Sequence, residues 1–249
     1  MNDPRTPPPP GIFVTGTNTG VGKTLVTAAW ARALGVAGLR VAALKPVASG
    51  ATRDAAGRLC NEDALALQSA ASVALPYDQV NPWCFEPAIA PHLAAAEAGQ
   101  PVEIPALVRW YGEATAGADL ALVEGAGGWR VPLHPSGFLS DLPEQLGLGV
   151  VLVVGLTLGC LNHARLTIEA IEQAGHCRFL GWVANDVDPG FERAEDNLRT
   201  LEHLLGGPAL ARIPHGGASL DPVRLSGHLA GSALCDLGLR CAGVRRQTL

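Results

Sequence analysis

The stretch Phe13–Val26 reads FVTGTNTGVGKTLV and leaves the chain few choices. Phe13, Val14 and Thr15 favour a strand, Gly16 to Gly22 break it, and the apolar run after Thr24 favours a helix. A strand that turns through glycines into a helix start points backbone N–H groups at one locus, where the helix dipole favours an anion. Lys23 adds a positive charge for β/γ-phosphates, and the Thr24 hydroxyl suits Mg²⁺. The usual phosphate loop has four residues between its first glycine and Gly-Lys-Ser/Thr. Here five separate Gly16 from Gly22, and Thr17 stands where that glycine belongs. A dinucleotide fingerprint fits less well, because Leu25 occupies the third glycine position of G-x-G-x-x-G.

The rest of the chain repeats a strand–helix rhythm. Strands are expected at Ile12–Thr15, Arg40–Lys45, Asp119–Glu124, Val150–Val154, Phe179–Ala184 and Ala209–Ile213. Helices are expected over 22–36, from Asn61 (as N-cap) through Ala70, from about Leu93, from about Pro105, from about Asn162 to Ala174, and over 191–205. The three prolines of 81–92 make that stretch largely loop. This pattern predicts one α/β domain over 1–249 with a mainly parallel sheet and helices on both faces, preceded by a stiff, flexibly attached Pro-rich arm at 1–10. With 48% hydrophobic and 16% charged residues, a large buried core follows.

The net charge of −5 and the lack of a basic block argue against nucleic acid. No apolar run reaches membrane-spanning length without breaks, and no signal pattern opens the chain. Six cysteines without CxxC or Cys/His spacing read as reduced thiols of a cytoplasmic protein. His92, His134, His163 and His215 show neither triad nor metal spacing, and Cys160 has no visible His partner.

Ligands of such sheets sit at the carboxyl ends of the strands. Those ends carry the loop, then Lys45 with Ser49, Glu124 with Gly125, Ala126 and Gly127, Asn185-Asp186, and Pro214-His215. Glu124 suits the Mg²⁺ that Thr24 touches, or is a plain carboxylate at a strand end. Lys45 suits developing negative charge on a substrate, or is a surface lysine. Asp63 reads as a helix-start acid or a ligand. Asn185 reads an adenine edge or forms a turn. Gly159, Cys160, Leu161 and Asn162 form a glycine turn entering a helix, with Asn162 as N-cap and free N–H groups for a carboxylate.

Taken together, FVTGTNTGVGKT, KPVASG, NEDALAL, VNPWCFEPAIAPH, LVEGAGGW, VVLVVGLTLGCLNHA and GWVAND resemble the dethiobiotin synthetase family of the P-loop NTPase fold, from Ile12 to about His215. The longer loop is the form that family uses. The resemblance implies an ATP- and Mg²⁺-dependent cyclo-ligase that joins 7,8-diaminopelargonate and CO₂. It implies nucleotide contacts from Gly20, Val21, Gly22, Lys23, Thr24 and Leu25, from Asp63, from Glu124 to Gly127, from Asn185 and Asp186, and from Pro214, His215 and Gly216. Thr24, Asp63 and Glu124 would surround Mg²⁺, and Lys23 and Lys45 would be catalytic. Thr19, Lys45 and Ser49 would meet the substrate, with Gly159–Asn162 of a homodimer partner capping its carboxylate. Gly20 departs from the acidic residue that several members carry, and the segment after 217 matches less well. A switch ATPase of the partitioning type would need a second lysine where Asn18 stands.

Overall fold

Strand β1 (Gly11–Gly16) is buried from Ile12 to Gly16, on both of its faces. A strand of that kind needs cover on each side. The computed structural model describes residues 10–216 and 222–244. The arm through residue 9 and Arg245-Arg246 lie outside the described residues.

After β1 come α1 (Lys23–Val36) and β2 (Val41–Leu44). The chain then makes short pieces: β3 (Val47–Ala48), β4 (Thr52–Arg53), β5 (Leu59–Cys60), α2 (Glu62–Ala70), α3 (Tyr77–Val80), β6 (Trp83–Cys84) and α4 (Pro91–Glu97). Helix α5 (Ile104–Thr115) returns it to the sheet at β7 (Leu120–Glu124). A hairpin, β8 (Pro132–His134) with β9 (Gly137–Phe138), and α6 (Asp141–Leu146) lead to β10 (Gly149–Gly155). The rhythm then runs α7 (Cys160–Gln173), β11 (Arg178–Asn185), α8 (Ala194–Leu204) and β12 (Ala211–Ile213). Helices α9 (Pro222–Leu229) and α10 (Ala233–Cys241) follow.

Six strands form one sheet in the order β12-β11-β10-β1-β7-β2, every pair parallel. Side chains alternate between its faces. Ile12 and Val14 join Trp30 and Leu34 of α1, together with Leu225, Leu229 and Leu234. Phe13 faces the other way, with Leu107 and Tyr111 of α5 and Leu142 of α6. On that second face Leu152 and Trp182 pack with Ile168 of α7 and Leu201 of α8. The expected architecture is therefore present, with helices on both faces.

The register matters for the site. Val14 lies level with Glu124 on one side and Val151 on the other. Leu44 pairs Val123, so Lys45 follows beside Glu124. The order of the sheet reverses at β1, and in such sheets that reversal opens a crevice at the carboxyl ends.

Two expectations need correction, and a third stretch adds structure that no expectation covered. Asn162 does not cap its helix. Gly159 does, at φ 93°, and α7 begins at Cys160, which leaves Asn162 inside the first turn. A left-handed glycine turns the chain into the helix directly, so no side-chain cap forms there. The helix expected over 191–205 begins only at Ala194, after Arg193 at φ 60°. The stretch after 217, unreadable from motifs, supplies two helices that cover α1.

The fit of those helices is close at Gly238. A Cβ there would lie 2.7 Å from Leu34 Cδ1 and 3.0 Å from Trp30 Nε1. Gly238→Ala is expected to destabilise the protein by about 1–3 kcal/mol through overpacking, despite the better helix propensity of alanine. Urea unfolding reads this as a lower midpoint at unchanged slope. An unchanged midpoint would mean that α10 packs loosely on α1.

Candidate active site

The loop after β1 folds around its own lysine. Lys23 Nζ donates to the Asn18 carbonyl at 3.0 Å and to the Gly127 carbonyl at 2.7 Å. The extra loop residue thus brings a carbonyl of the loop back onto the ammonium, and that of Gly127 completes the hold from across the sheet. Lys23 is 6% exposed. Burial pulls its pKa down to about 8, with the nearby Lys45 adding to the fall and Glu124 opposing it.

Gly22 caps α1 at φ 89° without a side-chain cap. Asn185, at the end of β11, donates its Nδ2 to the Val21 carbonyl at 2.8 Å. A Cβ on Gly22 would lie 2.2 Å from that same nitrogen. Both the backbone angle and the close approach therefore require glycine. Half of the Asn185 amide is engaged in holding the loop. The sequence offered adenine or a turn for this residue and did not reveal this third use.

The second half of the site is a charged cluster. Glu124 Oε1 accepts from Lys45 Nζ at 2.5 Å and from Thr24 Oγ1 at 2.8 Å. Lys45 Nζ also meets Asp63 Oδ2 at 3.1 Å. Lys45 and Glu124 are 4% and 1% exposed, while Asp63 is half-buried. Burial alone would lower the Lys45 pKa. The carboxylates of Glu124 and Asp63 outweigh it and hold the ammonium charged. Asp63 is likewise pushed up by burial, but Lys45, Thr24 and Lys23 hold it below the usual carboxylate range. Asp63 reaches this cluster because Asn61 caps α2, its side chain accepting from the Ala64 N–H.

These groups line one open cavity of about 930 Å³. Of the expected residues, Thr19, Gly20, Gly22, Lys23, Thr24, Leu25, Lys45, Ser49, Asp63, Glu124, Ala126 and Gly127 all border it. Val21 is outside that lining: its side chain is buried with the Ile12 and Val14 core and its carbonyl accepts from Asn185. Gly125 offers its carbonyl to Lys45 at 3.4 Å, but the reason for glycine there is packing, since a Cβ would lie 2.9 Å from Phe13 Cζ. Asp186 is held by Arg212, whose NH2 lies 3.0 Å away, and the Asp186 carbonyl lies 3.1 Å from His215 Nδ1. Asp186, Pro214, His215 and Gly216 thus sit together at the ends of β11 and β12, outside the cavity lining. The chain's own Gly159–Asn162 segment is outside that lining as well. Ala88, Ile89 and Ala90, which lie in the motif VNPWCFEPAIAPH but carry no expected role, join Val131 in an apolar wall of the cavity. From the sequence the run EPAIAP reads as Pro-bounded loop.

Comparisons fit this geometry. A family model described as an AAA domain matches residues 10–222. The ATP-dependent dethiobiotin synthetase BioD of Pseudomonas paraeruginosa is 53% identical over 221 residues, covering 88% of this chain and 96% of that protein. The chain belongs to the dethiobiotin synthetase family. Its relative of the same name in Cellvibrio japonicus is 45% identical, covering 90% of this chain and 97% of that protein. Among solved structures, the MinD cell division protein of Aquifex aeolicus matches with TM-score 0.56 at 17% identity, covering 96% of this chain and 99% of that one. That likeness speaks for the fold alone, and the fold is that of the P-loop NTPases.

Gly22→Ala tests the loop geometry in this family member. It forces a strained backbone angle and displaces the Asn185 amide, a combination that costs on the order of 1–3 kcal/mol. ATP binding measured by calorimetry is expected to weaken about 10- to 100-fold, and the strain is expected to lower the melting temperature by roughly 2–10 °C. Wild-type affinity would show that the loop tolerates another conformation.

Proposed function

We propose that this chain is an ATP-dependent dethiobiotin synthase, a cytoplasmic homodimer acting in biotin synthesis. It takes 7,8-diaminopelargonate, CO₂ and ATP to dethiobiotin, ADP and phosphate. The observation that carries this reading is the buried Lys45 ammonium at the end of β2, set across one cavity from Lys23 and held charged by Glu124 and Asp63. The 53% identity to a protein named for this activity supports it.

The chemistry has three steps. One amine of the diamine adds to CO₂, forming an N–C bond and losing a proton, which gives a carbamate. A carbamate oxygen then attacks the ATP γ-phosphorus, and ADP leaves with the electrons of the broken P–O bond. The second amine attacks the carbonyl of this carbamic–phosphoric anhydride, closes the ring and expels phosphate. Such transfer depends on positioning and on neutralising charge. Lys23 meets the phosphates when it turns from the Asn18 and Gly127 carbonyls. Lys45 faces the carbamate and the transferring phosphoryl group. Thr19 and Ser49 line the cavity beside it. Ser49 Oγ is buried with no hydrogen-bond partner among the described residues, so a polar substrate group would satisfy it.

The donor set also fits Mg²⁺. Thr24, Asp63 and Glu124 offer the hard oxygens that this ion prefers. Glu124 Oε2 is buried without a hydrogen-bond partner among the described residues, a state that a cation relieves. Bound there, Mg²⁺ would neutralise phosphate charge. Asn185 and the neighbouring 214–216 backbone are the groups available to the base.

For the substrate carboxylate, the α7 N-terminus of a partner copy supplies donors. Its Gly159 cap uses no side chain, no acidic residue occupies its first turn, and the adjoining Leu158 is 92% exposed. Six free thiols suit a reducing compartment.

Phosphate release from Mg-ATP, with and without 7,8-diaminopelargonate plus bicarbonate, tests the reading together with product mass. Diamine-dependent release and a product carrying one added carbonyl bridge are expected. Release that ignores the diamine would point to a switch ATPase instead. Lys45→Ala is expected to lower kcat roughly 10²–10³-fold while ATP affinity changes little, because the charge it meets appears only with the carbamate. Equal losses in both would remove Lys45 from the transition state. Chelation of Mg²⁺ is expected to abolish turnover, and added Mg²⁺ to restore it.

A further inference from the structure

Lys45 directly follows β2 and Asp63 lies on α2, yet their charged groups lie 3.1 Å apart. Tracing what holds those elements together leads away from the cavity, to Tyr77 on the short helix α3. The Asn81 Nδ2 donates to the Lys45 carbonyl at 2.7 Å. That contact fixes which end of the amide is nitrogen, so Asn81 Oδ1 is the atom facing Tyr77. The Tyr77 hydroxyl donates its one proton to Asn81 Oδ1 at 2.9 Å. Its oxygen then accepts from the Asn61 backbone N–H at 2.7 Å. Asn61 is the N-cap of α2, two residues before Asp63.

The path is therefore a closed ring. It runs from the Lys45 backbone through Asn81, Tyr77 and Asn61 to Asp63, and returns to the Lys45 ammonium. Every bond in it has a fixed direction, because the proton of Tyr77 has one acceptor and Asn81 cannot reverse. Cys84 Sγ lies 3.4 Å from the same hydroxyl and, with that proton committed, is the donor in the contact. Two further bonds brace the ring. The Lys45 N–H donates to the Val80 carbonyl at 2.9 Å, and Trp110 Nε1 on α5 donates to the Gln79 carbonyl at 2.8 Å, pinning α3 to the core.

We propose that the Tyr77 hydroxyl is a positioning group of the active site, fixing the N-terminus of α2, and with it Asp63, against Lys45. Tyr77 does not border the cavity, so it acts through these two residues rather than on substrate. The inference rests on the roles proposed above for Lys45 and Asp63. A ring of this kind is what holds a charged pair in place before substrate arrives, and small displacements of such groups are felt strongly in turnover.

Tyr77→Phe is the test, with Tyr111→Phe as its control, since Tyr111 is a fully buried tyrosine on α5 outside the ring. The first readout needs no activity. In Tyr77→Phe, amide hydrogen exchange over the first turn of α2 is expected to quicken, and in Tyr111→Phe to stay as in the wild type. The second readout is kinetic. Tyr77→Phe is expected to lower kcat about tenfold, the worth of one or two buried hydrogen bonds, with the ATP KM within roughly twofold. Unchanged exchange at α2, or a kcat loss no larger than that of the control, would overturn the proposal. A wild type without diamine-dependent phosphate release would overturn the proposed activity instead, and exchange would still decide the ring.

Discussion

The buried pair of Lys45 and Glu124, at 2.5 Å, is the interaction on which the rest of the site depends. Taking two charges out of water is expensive, and their attraction offsets this only where geometry and further hydrogen bonds are good. Here the geometry is close, and the further hydrogen bonds reach Glu124 Oε1 and the Lys45 ammonium but not Glu124 Oε2. Glu124 Oε1 also accepts from Thr24, and Lys45 also meets Asp63. An apolar pair would fill the same space without that desolvation penalty. Charges at this place make physical sense as groups that a phosphate-bearing ligand will share. The cluster holds two lysines and two carboxylates, so it is close to neutral before the ligand comes. Under the proposed function its lysines would gain a new partner from phosphate, and Glu124 Oε2, which has none among the described residues, would gain one from a cation.

The sheet is what makes this pair inevitable. Parallel register sets Val14 level with Glu124, and Leu44 level with Val123, so the residues after Leu44 and Val123 emerge side by side. The loop after β1 leaves from the same edge. Three adjacent strand ends thus supply the phosphate loop, the carboxylate and the second lysine, and no loop has to travel to assemble them. What does travel is α2, reached through the irregular stretch after β2. Its position is not given by the sheet, and it is secured by side chains instead.

This divides what was readable in the sequence from what was not. Strands buried on both faces announce themselves as apolar runs, and their polar ends, Lys45, Glu124 and Asn185, stood out against them. The Asn61 cap was equally plain, because an Asx residue ahead of two acids at a helix start has one physical reading. Asn162, followed by His163 and Ala164 rather than by acids, was misplaced, because Gly159 in a left-handed turn does the capping in its stead. Gly125 was grouped with the residues at the strand end as a nucleotide contact, and what demands glycine there is its packing against Phe13. The Asn185 bond to Val21 spans 164 positions of the chain and leaves no local pattern. The helices after residue 221 are held by their fit to Trp30 and Leu34, which no motif records.

Fold likeness and family membership carry different weight here. Septum-site ATPases share this sheet at 17% identity, and a shared sheet explains only where a nucleotide can sit. What separates this chain from a switch is chemistry at named positions. Position 18 holds no second lysine: its Asn side chain stays within the loop, accepting from the Thr19 N–H at 2.8 Å. The charge opposite the phosphate loop comes instead from Lys45, on a different strand and held at a fixed distance from Asp63 and Glu124. A lysine just after a buried strand, with its ammonium and its backbone both hydrogen-bonded, is held in place, and that suits the proposed transfer between two bound molecules. The same logic accounts for the bonds spent on the Lys45 backbone, whose N–H and carbonyl are both engaged by α3 and Asn81.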